Sequence, residues 1–351
     1  MATIKMLVLI GFCTLLMAVQ NNLAYAQPEQ TQKTWRAIVF SPQGLKSPPV
    51  DFLPNFERLV DEALAPMGIN VIIFDMHWHN FQFTCREELK AVNLPSSRAF
   101  AAADAGKMAA ICRKHNIRVM VGMNFLTHQN HGQLLSAFPQ FKWPDNPRLW
   151  NPLNPDVNQV AFDMADELID AFQAEAIHVG MDEAWGFKLD TLPGAESYTP
   201  ATLFAKCVND YYDHFVKHRG IPMLMWADML EGDRQKLNTA DAAELIPKDI
   251  ILCYWEYRYR DQYPWLQQFI DKGFRVLACP WKGARPAKSL VGAAKRIDNP
   301  KMLGVLYTTW CGRIRYDLRP ALLREGKQDK LDAAARGVAD AMRSTLPMLR
   351  E

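Results

Sequence analysis

Eight short apolar runs recur along this chain, each closing on polar or aromatic residues, and this recurrence constrains the fold more than any other feature. They are "WRAIVFSP" (35–42), "NVIIFDMHW" (70–78), "IRVMVGMNF" (117–125), "AIHVGMDE" (176–183), "IPMLMWAD" (221–228), "IILCYWEY" (250–257), "FRVLACPW" (274–281) and "LGVLYTTWC" (303–311). Short runs rich in β-branched residues read as strands, and the longer segments between them carry helical periodicity. "NFERLVDEALAPMG", "AAADAGKMAAICRKHN", "VNQVAFDMADELIDAFQ" and "ATLFAKCVNDYYDHFVKHRG" are such segments, several ending at a glycine or asparagine as helices do. Strands alternating with helices call for a parallel sheet, and eight units match an α/β fold of the (β/α)8 TIM-barrel type. A doubly wound open sheet is the alternative, but no G-x-G-x-x-G follows the first run. The expectation is a single catalytic barrel domain over residues 34–351.

Residues 1–26 read separately. An early lysine, an uncharged apolar stretch from Met6 to Val19 and the ending Ala24-Tyr25-Ala26 form a secretory signal cleaved before Gln27. The apolar stretch is shorter than the roughly 20 residues a bilayer span needs, so no stable membrane span is expected after cleavage. Phe12 stands before Cys13 where a lipoprotein signal needs a small residue. The expectation is export, to a periplasm or outside the cell. Removing Cys13 from the seven cysteines leaves six. Cys253, Cys279 and Cys311 lie in strand-like runs, where a cysteine acts as a small hydrophobe, and no paired C-x-x-C spacing suggests zinc. With 40 Lys and Arg against 38 Asp and Glu, nothing in the charge points to nucleic acid.

Barrel enzymes work at the C-terminal ends of their strands. Those ends here carry Asp75 with His77 and His79, Asn124 with His128, Asp182 with Glu183, Trp226 with Asp228, Trp255 with Glu256, Pro280 with Trp281, and Tyr307 with Trp310. Indole walls with a few acids suit a sugar, whose ring faces stack while its hydroxyls take hydrogen bonds. His77, His79 and His128 raise a metal alternative, but no tight ligand signature such as H-E-x-x-H is present, and neither metal nor cofactor is expected. Glycosidases commonly use two carboxyl groups, often placed on the fourth and seventh barrel strands. The seventh run, "FRVLACPWKGARP", has no acid. The adjacent pair Asp182 and Glu183 remains, with Glu256 on the sixth run as a substitute partner. Neighbours in a regular strand point to opposite faces, so the pair serves one pocket only if the strand ends or kinks there, which Gly180 permits.

"IHVGMDE" resembles the H-x-G-x-D-E signature of glycoside hydrolase family 20, the β-N-acetylhexosaminidases, and the segments "MLMWADML", "ILCYWEY" and "LGVLYTTWC" resemble that family's later strand ends in the same order. The resemblance spans roughly residues 34–311. It implies substrate-assisted retaining catalysis, in which the 2-acetamido oxygen of the sugar is the nucleophile and no second carboxylate is needed. By resemblance Glu183 is the general acid and later the base, and Asp182 holds the acetamido group. Trp226, Trp255 and Trp310 wall the sugar, Arg36 and His128 contact it, and Asp228 and Tyr307 join the substrate-binding set. The implied partner is a glycan carrying terminal N-acetylhexosamine. Three features depart from the family: "FDMHWHN" replaces its second-strand acids, Cys311-Gly312 follows Trp310 where Trp-x-Glu is usual, and no tyrosine follows Trp281 to support the acetamido oxygen, leaving Tyr254, Tyr257 and Tyr307 as candidates. Other readings of the same residues are a relative cleaving a different glycoside and an inactive carbohydrate-binding barrel.

Overall fold

A computed structural model describes residues 34–41, 49–78, 80–92, 99–129, 134–232, 238–310 and 314–350. The signal-like segment 1–26, His79, Cys311 and Gly312 lie outside the described residues. Met1–Thr34 and Trp35–Glu351 are separate compact units, and all that follows concerns the second.

The eight runs all become strands. They are β1 (Trp35–Phe40), β2 (Val71–Asp75), β3 (Arg118–Phe125), β6 (Ile177–Gly180), β7 (Met223–Trp226), β8 (Ile251–Trp255), β9 (Arg275–Cys279) and β10 (Met302–Tyr307). Two further short strands, β4 (Lys142–Trp143) and β5 (Asn146–Trp150), form an antiparallel hairpin between β3 and β6. The eight close into a barrel in the order β1-β10-β9-β8-β7-β6-β3-β2, every neighbouring pair parallel. Closure leaves no sheet edge to protect.

Alternation along each strand divides the core in two. Ala37, Val39, Val71, Ile73, Met120, Leu224, Cys253, Leu277 and Leu306 fill the barrel interior. Their neighbours Ile38, Phe40, Ile72, Phe74, Val121, Met225, Leu252, Val276 and Val305 point outward and pack under the helices. The helices start where the sequence supplies caps. Asn154 accepts the Asp156 N–H ahead of helix Pro155–Phe172, Thr199 accepts that of Thr202 ahead of Pro200–Tyr212, and Asp332 accepts those of Ala334 and Ala335 ahead of Ala333–Thr345. Cys112, Cys207, Cys253 and Cys279 are buried free thiols, whereas Cys85 is exposed. No helix among the described residues is long and apolar enough to cross a membrane.

Candidate active site

The chain leaves β-geometry abruptly after Gly180. Gly180, Met181 and Glu183 have φ of 71°, 77° and 50°, so the Asp182–Glu183 pair sits on a left-handed turn rather than on a strand. Such backbone is unfavourable for side chains other than glycine's and persists only where surrounding contacts hold it. They are present: the Glu183 N–H donates to Asp228 Oδ2 at 2.9 Å and the Ala184 N–H to Met229 Sδ at 3.4 Å. Downstream, the hairpin's Asn146 donates to the Trp185 carbonyl at 2.9 Å. The turn solves the alternation problem, because both carboxylates now open to the same side.

A cavity of about 310 Å³ lies at the C-terminal end of the barrel. Trp226, Trp255 and Trp310 wall it, with Asn124, His128, Tyr257 and the two acids supplying polar groups. Trp226 and Trp310 meet edge to face with ring centres 6.0 Å apart. Trp310 Nε1 donates to the Tyr257 hydroxyl at 2.8 Å, which fixes both rings. Of the three candidate tyrosines only Tyr257 lines this cavity. Burial pushes its hydroxyl well above the usual tyrosine range, so it stays protonated and able to donate. A larger cavity, about 750 Å³, adjoins the first and is bordered by Trp185, Glu231, Glu256, Arg258 and Trp265. Glu183 lines both cavities, whereas Asp182 lines only the smaller.

His128 sits between the acids, its Nε2 3.3 Å from Asp182 Oδ2 and 3.7 Å from Glu183 Oε2. Burial opposes charging the imidazole, but the hydrogen bond to Asp182 and the charges of both carboxylates outweigh it, and the ring holds its proton above the usual histidine range. A protonated His128 lets two carboxyl groups share one small space. Ligand atoms of His128, Asp182 and Glu183 all lie within 4.8 Å of one another, the one grouping among the described residues able to hold a metal ion.

Three of the residues expected to bind substrate lie elsewhere. Arg36 is the second residue of β1, at the opposite end of the barrel; alternation turns it outward, and its Nε donates to the Gly68 carbonyl at 2.5 Å. Tyr307 also faces outward, under the helices, and its hydroxyl bonds Thr345 Oγ1 at 2.6 Å. Asp228 is fully buried, one oxygen on the Glu183 N–H and the other accepting from Trp255 Nε1 at 3.3 Å. It positions the acid and a wall tryptophan and does not face the cavity. Glu256 is no substitute catalyst, since its carboxylate accepts from Arg260 Nε and the Arg258 N–H, each at 2.9 Å. The sequence reading missed Arg148, whose Nη2 lies 3.9 Å from Glu183 Oε2, because its hairpin has neither the length nor the alternation of the barrel runs.

Asp75 ends β2 pointing inward, beside the floor of the site. Burial pushes its carboxyl up to about 6, partly countered by the charge of His178 and reinforced by that of Asp182. A folded state that holds this proton more tightly than the unfolded chain gains stability below about pH 4 and loses it as pH rises through 6; a shift of about two units corresponds to about 3 kcal/mol. Asp75→Asn is therefore expected to be more stable than the wild type at pH 8, with the difference shrinking toward pH 4. Denaturant unfolding at both values checks it, and a variant equally destabilised at both contradicts the burial argument.

Comparison with known proteins follows the geometry. The family described as glycosyl hydrolase family 20, catalytic domain, matches residues 86–284. Among solved structures, an exo β-N-acetylglucosaminidase from Vibrio harveyi is 14% identical with a TM-score of 0.62, covering 91% of this chain and 58% of that one. A chitobiase from Flavobacterium johnsoniae is 18% identical with a TM-score of 0.60, covering 91% and 52%. A β-N-acetylhexosaminidase from Bacteroides fragilis is 14% identical with a TM-score of 0.63, covering 89% and 66%. The chain thus spans between half and two thirds of the length of these three structures. Nothing among curated proteins matches it.

Proposed function

Because the chain belongs to glycosyl hydrolase family 20, we propose that it is an exported, exo-acting β-N-acetylhexosaminidase that removes terminal N-acetylglucosamine or N-acetylgalactosamine with retention of configuration. The observation that carries this reading is the division of labour between the acids: Glu183 stands where the two cavities meet, and Asp182 belongs to the smaller one alone. A glycosidic oxygen joins the sugar being released to the rest of the chain, so its proton donor must reach the junction. The residue that steers the 2-acetamido group must stay on the released sugar's side.

In this mechanism the terminal sugar enters the tryptophan-walled cavity. Asp182 accepts the acetamido N–H, while the Tyr257 hydroxyl is available to donate to the acetamido oxygen and aim it at the anomeric carbon. Glu183 gives its proton to the leaving oxygen as that bond breaks and the acetamido oxygen bonds to carbon. The resulting oxazolinium-like positive charge lies against Asp182. Glu183, now a carboxylate, takes a proton from water as the water attacks the anomeric carbon, and the acid is restored. His128 keeps the Asp182 carboxylate oriented. Export rests on residues 1–26 and is tested by finding the chain begin at Gln27 after production with its signal intact.

The full chain is expected to release a chromophore from an aryl β-N-acetylglucosaminide or β-N-acetylgalactosaminide and to leave the matching aryl β-glucoside intact, because a 2-hydroxyl cannot form the five-membered ring. Cleavage of the glucoside with neither N-acetyl sugar touched overturns the substrate-assisted route.

A further inference from the structure

Beyond the catalytic pair, the larger cavity has a wall whose construction the reaction itself does not require. Trp185 follows the acid pair by two residues and is 48% exposed, an unusual setting for the largest apolar side chain unless it serves as a platform. Its position is nonetheless well fixed. Asn146 of the β4–β5 hairpin holds its carbonyl at 2.9 Å and the Gly186 carbonyl at 3.3 Å. From the same hairpin the Arg148 guanidinium lies over the indole, 4.6 Å from the ring centre, with Nη2 3.9 Å from Glu183. Arg148 Nε is buried without a hydrogen-bond partner among the described residues. An exposed indole, and a guanidinium with a donor unspent, stand beside the proton donor on the side away from Asp182.

Resting on the hexosaminidase reading, we propose that Trp185 and Arg148 form the subsite for the leaving group, and that this leaving group is an uncharged β-linked sugar chain of at least two units. The sugar bonded to the released residue stacks on Trp185, with its hydroxyls within reach of Arg148, and the next unit lies toward Trp265 in the same cavity. The sizes agree with this: the cavity for the terminal sugar measures about 310 Å³ and its neighbour about 750 Å³, more than twice as large. The charges select neutral sugars. Glu256 is already engaged by Arg260 and the Arg258 N–H, and Glu231 is buried, so acids and arginines along the groove balance and no free cation awaits an anionic sugar. The groove thus makes the enzyme one for oligosaccharide ends rather than for short glycosides.

The test compares the full chain with Trp185→Ala. For a β-linked N-acetylglucosamine trimer the variant should show KM raised about tenfold or more, as loss of a central aromatic contact does. The inhibition constant of free N-acetylglucosamine, which fills only the smaller cavity, should stay within about twofold. Arg148→Ala is a poorer probe because it also strips charge from Glu183. Calorimetric titration with the trimer, on Glu183→Gln with and without Trp185→Ala, reads the subsite independently of turnover. Equal trimer affinity with and without Trp185 overturns the subsite whatever the catalytic outcome, as does a trimer that binds no tighter than the monosaccharide. Tighter binding of a chain whose leaving-side sugar carries a carboxylate overturns the neutral-sugar assignment. Failure to release any N-acetylhexosamine overturns the reaction and leaves the binding comparison standing.

Discussion

Glu183→Gln is expected to lower kcat on an oligosaccharide by about 10²- to 10⁴-fold, the range that a positioned general acid contributes, while the protein stays folded and KM changes little. Glutamine matches glutamate in shape and keeps the neighbouring contacts, but it has no proton to give to a departing sugar oxygen. The size of the defect should depend on the leaving group. A nitrophenolate departs with little protonation, so the first step on a nitrophenyl glycoside should suffer less than the first step on a sugar glycoside. That contrast separates a lost proton donor from a disturbed pocket, which would slow both alike. Measuring kcat and KM for both substrates, with circular dichroism as a check on folding, decides between them. A defect equal on both substrates counts against Glu183 as the acid.

Gly180→Ala should damage fold and activity together. At this residue φ is 71°, and a methyl group built on it would lie 2.4 Å from Asn124 Oδ1 and 3.1 Å from Asn124 Cα. The left-handed backbone and the forced contact each carry a penalty of about 1–3 kcal/mol, so a loss of about 2–5 kcal/mol on denaturant unfolding is expected. Asn124 lines the sugar cavity, and any relaxation that relieves the clash moves either that side chain or the turn bearing the acids. Activity should therefore fall by more than the loss of folded protein explains, read as kcat per folded molecule. A variant as active and stable as the wild type would show that the turn does not need glycine there.

The barrel was legible because its signal is repeated: eight apolar runs with inward and outward residues alternating cannot be satisfied by many other folds. The acid pair was legible for a related reason, as two carboxylates after a glycine break the strand pattern that precedes them. Assignment failed where the position along a strand had to be converted into a direction. Arg36 and Tyr307 have chemistry suited to a sugar, yet each falls on the outward half of its strand, and Arg36 also falls at the opposite end of the barrel. Counting alternate residues from Ala37 and Leu306 would have placed both outside. Asp228 failed differently, since nothing local distinguishes an acid that meets substrate from one that braces the turn carrying the acid. Arg148 and Trp185 come together only through the hairpin, and no periodicity in either segment encodes that docking.

Asp228 joins the acid-bearing turn to the indole of the strand beyond its own, and the residues beneath the cavity, His178, Trp226 and Cys253, belong to the barrel interior itself. The floor of the site and the heart of the fold are thus one set of atoms. The hairpin and the segment after β8, by contrast, touch only the rim. Descendants of such a chain are free to exchange those rims and so acquire new glycans, but a new reaction would have to be negotiated with the stability of the entire molecule.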